Sequence, residues 1–344
     1  MEKPDFWKTE LNEQDTILNS VKRGNARIIA RSAGNRNIYV VEYGEKQDFG
    51  RTANYSSACG AGNAKYYADK TGKKPVIFLI GAVHGAELEG TCALLNLINM
   101  IETGKDFRGN KNTFLSDCID HCRLLIVPIA NPDGRSRGIP ALMHGLSYEE
   151  FRHYSQGRWK DGSLCEWPDC KTIHPIKDHV SFLGAYYNDD GINLMHDNFF
   201  GKMANETKAL FDIAEAEAPD FTAHFHGGGN SLNVILDTAY VPLFIKEKIH
   251  VLGSRIKTEA GKHNILTDET KILQDDHFPP RSFNLVSAMH HFCGTVSFCY
   301  ESNQGINNHK TGETIFSPEE ILELHYILFE QTIKYALEQI CLSA

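Results

Sequence analysis

At 344 residues, 42% hydrophobic and 23% charged, the chain is long and apolar enough to bury a large core as a soluble globular protein. Its formal net charge of −9, with no run rich in Lys and Arg, counts against a nucleic-acid or anionic-membrane partner. No apolar run reaches the length of a membrane span, and Met1-Glu2-Lys3-Pro4-Asp5 lacks the apolar core of a signal peptide, so a cytoplasmic setting is expected.

In chain order, residues 1–75 read as a preamble. Stretches 27–30 and 37–43 are predicted strands joined by a turn at Gly34-Asn35, and 50–74 is a polar loop with a short helix. Residues 75–80 are a continuous apolar run, the pattern of a strand buried on both faces. After Glu87 the pattern turns helical over 87–102, with Leu88, Cys92, Leu95 and Ile98 on one face. A second apolar strand at 123–130 stops at Asn131-Pro132-Asp133-Gly134, a turn signature. Residues 135–190 carry few periodic signals. A connection that long is usually functional, and it is expected to wall a substrate cleft, with Trp159 and Trp167 as candidate lining.

A helix follows at 201–217, then a strand at 221–226 that ends in Gly227-Gly228-Gly229, a strand at 232–236 and an amphipathic helix at 242–262. The last core strand, 295–300, ends at Glu301. Helix 317–341 closes the chain, with Ser317 as N-cap, Pro318 at the first position and Glu320 completing a capping box. Strands alternating with helices predict an α/β fold, a largely parallel sheet covered on both faces. With no repeat and no sharp shift of composition, 1–344 reads as a single catalytic domain with its core at 76–344. Nine scattered cysteines argue for buried free thiols rather than a disulfide framework. Cys165 and Cys170, followed by His174 and His179, are a candidate structural zinc site of non-standard spacing.

Ligands of such sheets gather at the carboxyl ends of the strands. Four predicted strands end in polar clusters: His84/Glu87, Asn131–Asp133, His226 and Glu301. Zinc accepts imidazole nitrogen and carboxylate oxygen together, and two His with one Glu plus a water is a catalytic set. His84, Glu87 and His226 would supply it, for one zinc ion. His224 shares a strand face with His226 and either could be the ligand. His226 is preferred because the glycines beyond it open space. Glu301 then has the position of a general base.

Together, His84-x-x-Glu87, Asn131-Pro132-Asp133-Gly134, His226 and Glu301 resemble the zinc metallocarboxypeptidases, the carboxypeptidase A-like peptidases. The resemblance implies a three-layer α/β/α domain around a mixed, about eight-stranded sheet, zinc on His84, Glu87 and His226, and Glu301 as base. It also implies an Arg that stabilises the oxyanion near the Asn-Pro-Asp-Gly segment. Arg137 is favoured, with Arg135 and Arg158 as further substrate-binding candidates. In the segment Asp190–Asp197, Asn193 and His196 are candidate substrate contacts, but Met195 and His196 stand where the family has its carboxylate-gripping Asn and Arg. Residues 270–299 contain no Tyr for the family's substrate-covering role, and Phe278, Arg281 and Phe283 occupy that region.

The leading expectation is therefore zinc-dependent cleavage of an amide bond in a peptide or N-acyl amino acid. The alternatives are a zinc-dependent deacylase of N-acyl amino acids or esters, and an inactive metal-binding or interaction module. Equal cleavage of peptides with and without a blocked carboxyl terminus would count against a carboxypeptidase, and absence of metal at His84, Glu87 and His226 would count against an enzyme.

Overall fold

The computed structural model describes residues 2–230, 233–307 and 316–341. Its strands are β1 (Asn25–Arg31), β2 (Asn37–Tyr43), β3 (Val76–Ile80), β4 (Arg123–Val127), β5 (Gly157–Trp159), β6 (Val180–Leu183), β7 (Phe221–Gly227), β8 (Val234–Leu236) and β9 (Val296–Ser302). The α-helices are α1 (Leu11–Leu18), α2 (Tyr55–Gly60), α3 (Leu88–Thr103), α4 (Thr113–Asp117), α5 (Pro132–Arg135), α6 (Tyr148–Gln156), α7 (Asn205–Glu217), α8 (Leu243–Lys262), α9 (Leu285–Cys293) and α10 (Pro318–Cys341).

One sheet of seven strands runs β1-β2-β4-β3-β7-β9-β8, one fewer than the resemblance implies, and β5 and β6 pair separately. Its centre, β4-β3-β7-β9, is parallel, while β1, β2 and β8 attach antiparallel. In β3 the side-chain period of two sends Ile77 and Leu79 into one apolar cluster and Val76, Phe78 and Ile80 into another. The first cluster takes in residues of α3, α8 and α10, and the second takes in residues of α7 and α9. The result is the expected three-layer α/β/α architecture. A strand with two covered faces has no polar side to alternate with, which is why 76–80 reads as unbroken apolar sequence.

Local signals explain several elements. Ser317 caps α10, its Oγ accepting from the Glu320 N–H at 3.2 Å while the Glu320 carboxylate accepts from the Ser317 N–H at 2.8 Å. The strand expected at 232–236 begins at Val234, and Leu232 lies outside the described residues. Asn131-Pro132-Asp133-Gly134 opens the short helix α5 rather than a simple turn, because Asn131 Oδ1 accepts from the Gly134 N–H at 2.9 Å and Pro132 fits a first helical position. Helix α3 differs more from expectation. It is buried from Leu88 through Leu97 on all sides, being wedged between the sheet and α10, so no single apolar face describes it.

Gly90 sets how closely α3 sits on the sheet. A Cβ there would lie 2.3 Å from Phe225 Cβ. Phe225 stands between His224 and His226 on β7, so crowding at Gly90 bears on the end of that strand. Gly90→Ala is expected to destabilise the fold by about 1–3 kcal/mol, the usual cost of overpacking a core. Urea denaturation monitored by circular dichroism measures this, and an unchanged midpoint would show that the layer can part without cost.

Candidate metal and catalytic site

The strands β3, β7 and β9 are neighbours, so the side chains just past their carboxyl ends share one edge of the sheet. The register pairs His226 with Glu301 across β7 and β9. After β3 the chain turns through Ala82, whose φ of 45° is in the left-handed region, and then through Gly85. A Cβ on Gly85 would stand 2.3 Å from the Arg135 nitrogen, so only glycine lets α5 pack against this turn. The turn delivers His84, and Glu87 follows as the residue that begins α3.

These three side chains meet. His84 Nδ1 is 2.9 Å from Glu87 Oε1, His226 Nδ1 is 2.8 Å from Glu87 Oε2, and the two Nδ1 atoms are 3.3 Å apart. All three residues are buried. Burial alone would push the Glu87 carboxyl up, but the two facing imidazoles outweigh it and hold it at about 2. Burial would lower His226, and Glu87 outweighs that and raises it.

The tautomer of His84 follows from its other neighbour. Asn193 Oδ1 accepts from the Met195 N–H at 3.0 Å, which identifies that atom as the amide oxygen. It also lies 3.0 Å from His84 Nε2, so the imidazole N–H is at Nε2 and a lone pair is left at Nδ1. Tyr186 stacks on the same ring at 4.0 Å with an interplanar angle of 12° and fixes its plane.

The Nδ1 atoms of two imidazoles and a carboxylate thus face one another in a buried space, and His226 Nε2 has no hydrogen-bond partner. One proton can serve only one of those contacts, whereas a divalent cation serves all three. Ligand atoms ~2.0–2.1 Å from a tetrahedral zinc lie about 3.3–3.4 Å apart, close to the spacing of the two nitrogens. The donor set, two nitrogens and a carboxylate, fits zinc.

Glu301 lines the same cleft, of about 640 Å³, as His84, Glu87 and His226. Burial pushes its carboxyl up to about 7, with the Glu87 charge adding to the rise and His226 opposing it. The Cys299 thiol approaches Glu301 Oε1 at 3.8 Å, and His226, Cys299 and Glu301 form a second grouping able to hold a metal, sharing His226 with the first. His224 belongs to neither group. It is buried, 3.2 Å from Ser297 Oγ, and held neutral with a pKa lowered to about 3, chiefly by burial.

The other expected site residues divide. Asn193 contacts His84 rather than reaching out to a substrate. His196 lines the cleft, 3.1 Å from Ser282 Oγ, but burial lowers its pKa to about 3 and it carries no charge at neutral pH. The three arginines expected at the site are not among the residues that line the cleft. Arg135 is buried against the Thr9 carbonyl and Glu10. Arg137 donates to the carbonyls of Gly184 and Tyr187 and to Asp189 at 2.7 Å. Arg158 is held by Glu149 and the Gly162 carbonyl. In each case carbonyls and carboxylates outside the cleft take guanidinium donors, although Arg135 Nη1 is buried without a partner.

Asp133 is likewise structural, accepting from Ser32, Gly34, Arg36 and the Asp189 N–H. His174 Nε2 accepts the Asn193 N–H at 2.8 Å, and Cys165, Cys170, His174 and His179 form no metal-holding group among the described residues. Trp167 lines the cleft, while Trp159 packs beside Ile176, Tyr186 and Tyr187. Of the late-loop residues, Arg281 reaches the cleft but is tied to Asp237 and Asp275, and Phe278 points outward, 94% exposed.

Sequence reasoning missed Tyr186 and three further lining residues, Arg152, Gln156 and Lys171. The first two sit on α6, and a signal for that helix was present. Ser147 and Glu150 form a capping box, with Ser147 Oγ accepting from the Glu150 N–H at 3.2 Å.

The sequence model of the zinc carboxypeptidase family, peptidase family M14, matches residues 22–315. No curated protein sequence matches the chain. Among solved structures, the chain resembles a metallo-carboxypeptidase from Burkholderia cenocepacia, with a TM-score of 0.58 and 14% identity over 94% of this chain and 68% of that one. It also resembles carboxypeptidase A from Helicoverpa armigera, with a TM-score of 0.57 and 14% identity over 97% of this chain and 75% of that one. Bovine thrombin-activatable fibrinolysis inhibitor, in complex with tick carboxypeptidase inhibitor, gives a TM-score of 0.55 and 9% identity over 97% and 99%. At such identities the likeness is one of fold.

Proposed function

The chain belongs to the zinc carboxypeptidase family, and we propose that it is a hydrolase of peptide-like amide bonds that holds one zinc ion on His84, Glu87 and His226 and uses Glu301 as general base. The observation that carries this reading is the convergence of three buried residues able to hold a metal beside the Glu301 carboxyl in one cleft.

When bound, zinc supplies Lewis acidity toward the scissile carbonyl and toward water. The protein's share can be followed residue by residue. Asn193 holds His84 with its N–H outward, so that Nδ1 presents a lone pair to the ion. Tyr186 covers the ring and limits solvent on that side. Glu301, ionised, takes the proton of the attacking water at a carboxylate oxygen and returns it to the departing amine. A carboxyl whose pKa is raised towards neutrality by burial is a better base than an exposed one and remains able to release the proton.

We take 1–344 as one catalytic unit, since β1 and β2 extend the sheet whose central strands carry the site. No helix among the described residues is long and apolar enough to cross a membrane. Cys59, Cys92, Cys118, Cys122, Cys165, Cys170, Cys293 and Cys299 are free thiols, which supports a reducing, cytoplasmic setting.

Asn193→Ala is expected to weaken zinc binding about 10- to 100-fold, the usual cost of removing the partner that orients a histidine ligand. Competition against a chromogenic chelator reads this directly. Unchanged affinity would remove Asn193 from the site. For the reaction, the zinc-loaded protein is offered blocked peptides, free-carboxyl peptides and N-acyl amino acids. Zinc-dependent cleavage of a peptide supports the proposal. Cleavage confined to N-acyl amino acids would favour a deacylase, the reading that the neutral His196 keeps open. No turnover of any amide would leave only a metal-binding module.

A further inference from the structure

Helix α6 presents Arg152 and Gln156, four residues apart and so on one face, to the cleft that holds the metal ligands. Gln156 is fully buried, yet neither its Nε2 nor its Oε1 has a hydrogen-bond partner. The Arg152 Nε is likewise buried and unpartnered, while its guanidinium lies over the Tyr148 and Phe151 rings at 4.8 and 5.6 Å. Native interiors seldom leave buried donors unused, so such groups need an explanation. Nearby in the wall, Lys171 Nζ sits 3.4 Å over the Trp167 ring, which holds the ammonium in place at the cleft.

The remaining cationic side chain of the cleft is already spent. Arg281 is bound by Asp237 and Asp275, and Lys246 balances the same two carboxylates. His196, at the position where a carboxylate-gripping arginine would be sought, is neutral. Arg152 and Lys171 also line the cleft and have no carboxylate partner within 4 Å among the described residues, although Glu301 lies within electrostatic reach of Lys171.

Resting on the hydrolase reading, we infer that Arg152, Gln156 and Lys171 form the receptor for a carboxylate of the substrate, taking the place of an arginine at position 196. A planar guanidinium matches a carboxylate with two parallel N–H donors, the Gln156 amide adds a third, and Lys171 adds a point charge. The preferred substrates are then peptides or N-acyl amino acids with a free carboxylate near the scissile bond. Blocked analogues would leave these donors buried and unpaired, and so would be discriminated against.

The test is calorimetric and needs no turnover. The zinc-loaded protein is titrated with 3-phenylpropionate and with its amide, 3-phenylpropionamide. Wild type is expected to bind the carboxylate about 10- to 100-fold more tightly than the amide. In Arg152→Met, Lys171→Met and the near-isosteric Gln156→Glu, carboxylate affinity should fall towards that of the amide, with amide binding unchanged. Equal binding of the two probes by wild type overturns the inference. So does a carboxylate preference that survives in all three variants, which would place the anion on the metal or another group. If the calorimetric pattern holds while no amide is hydrolysed, the hydrolase reading fails and the carboxylate receptor stands.

Discussion

Glu301→Gln is expected to lower kcat by about 10²- to 10⁴-fold while zinc remains bound at one ion per chain. Gln has the shape of Glu but cannot accept and return a proton, so the substitution removes the base and little else. Glu301 is opposite His226 in the β7–β9 register and lines the cleft without contacting the His84–Glu87–His226 group in the way those three contact one another. Zinc stoichiometry by atomic absorption, measured beside single-turnover hydrolysis, separates the outcomes. Full activity would mean that another group is the base. Loss of zinc would mean that Glu301 is itself a ligand, with His226 and Cys299 as its partners.

Arg123→Met is expected to cost about 3–5 kcal/mol of stability while leaving the kinetics of the folded protein unchanged. Arg123 opens β4, at the end of the sheet opposite the site, and binds Glu217 at the end of α7 through two contacts of 2.9 and 3.2 Å. Both side chains are nearly out of water, 7% and 6% exposed. Removing one partner leaves the other as a buried charge, for which Lys46 at 3.4 Å is a poor substitute. Replacing both with apolar residues should recover much of the loss.

The pH dependence of this effect has a definite sign. Burial would raise the Glu217 carboxyl, but the bonds from Arg123 outweigh it and the folded-state value lies below the ordinary one. A depressed folded pKa contributes stability that is present above the unfolded pKa of about 4.3 and is lost as pH falls through the folded value. The difference between wild type and variant should therefore be constant near neutrality and shrink below about pH 4. A difference that grew on acidification would show that the pair is not what Arg123 contributes.

What could be read from the sequence depended on how much a residue's neighbours along the chain determine. The run at 76–80 announces a doubly covered strand because each of its residues is apolar for its own reason, facing one layer or the other. His84, Glu87, His226 and Glu301 were singled out because each lies at or just past the carboxyl end of such a strand, and parallel strands deliver their ends to one edge. Arg135 and Arg137 were drawn towards the site by their nearness to Asn131–Gly134. The helical turn α5 aims them instead at Thr9 and Asp189, partners more than a hundred and about fifty residues away. No local pattern records those partners. Asn193 was taken for a substrate contact because a polar side chain in a cleft segment looks the same whether it faces ligand or histidine. Helix α6 was missed within a polar stretch although its capping box was legible, and with it went Arg152 and Gln156.

The most direct test of the central claim is anomalous scattering at the zinc edge from crystals of the zinc-loaded protein. One peak bonded to His84 Nδ1, Glu87 and His226 Nδ1, with Glu301 beside it but unbonded, is the predicted result. A peak held by His226, Cys299 and Glu301, or none near His84 and Glu87, would contradict it.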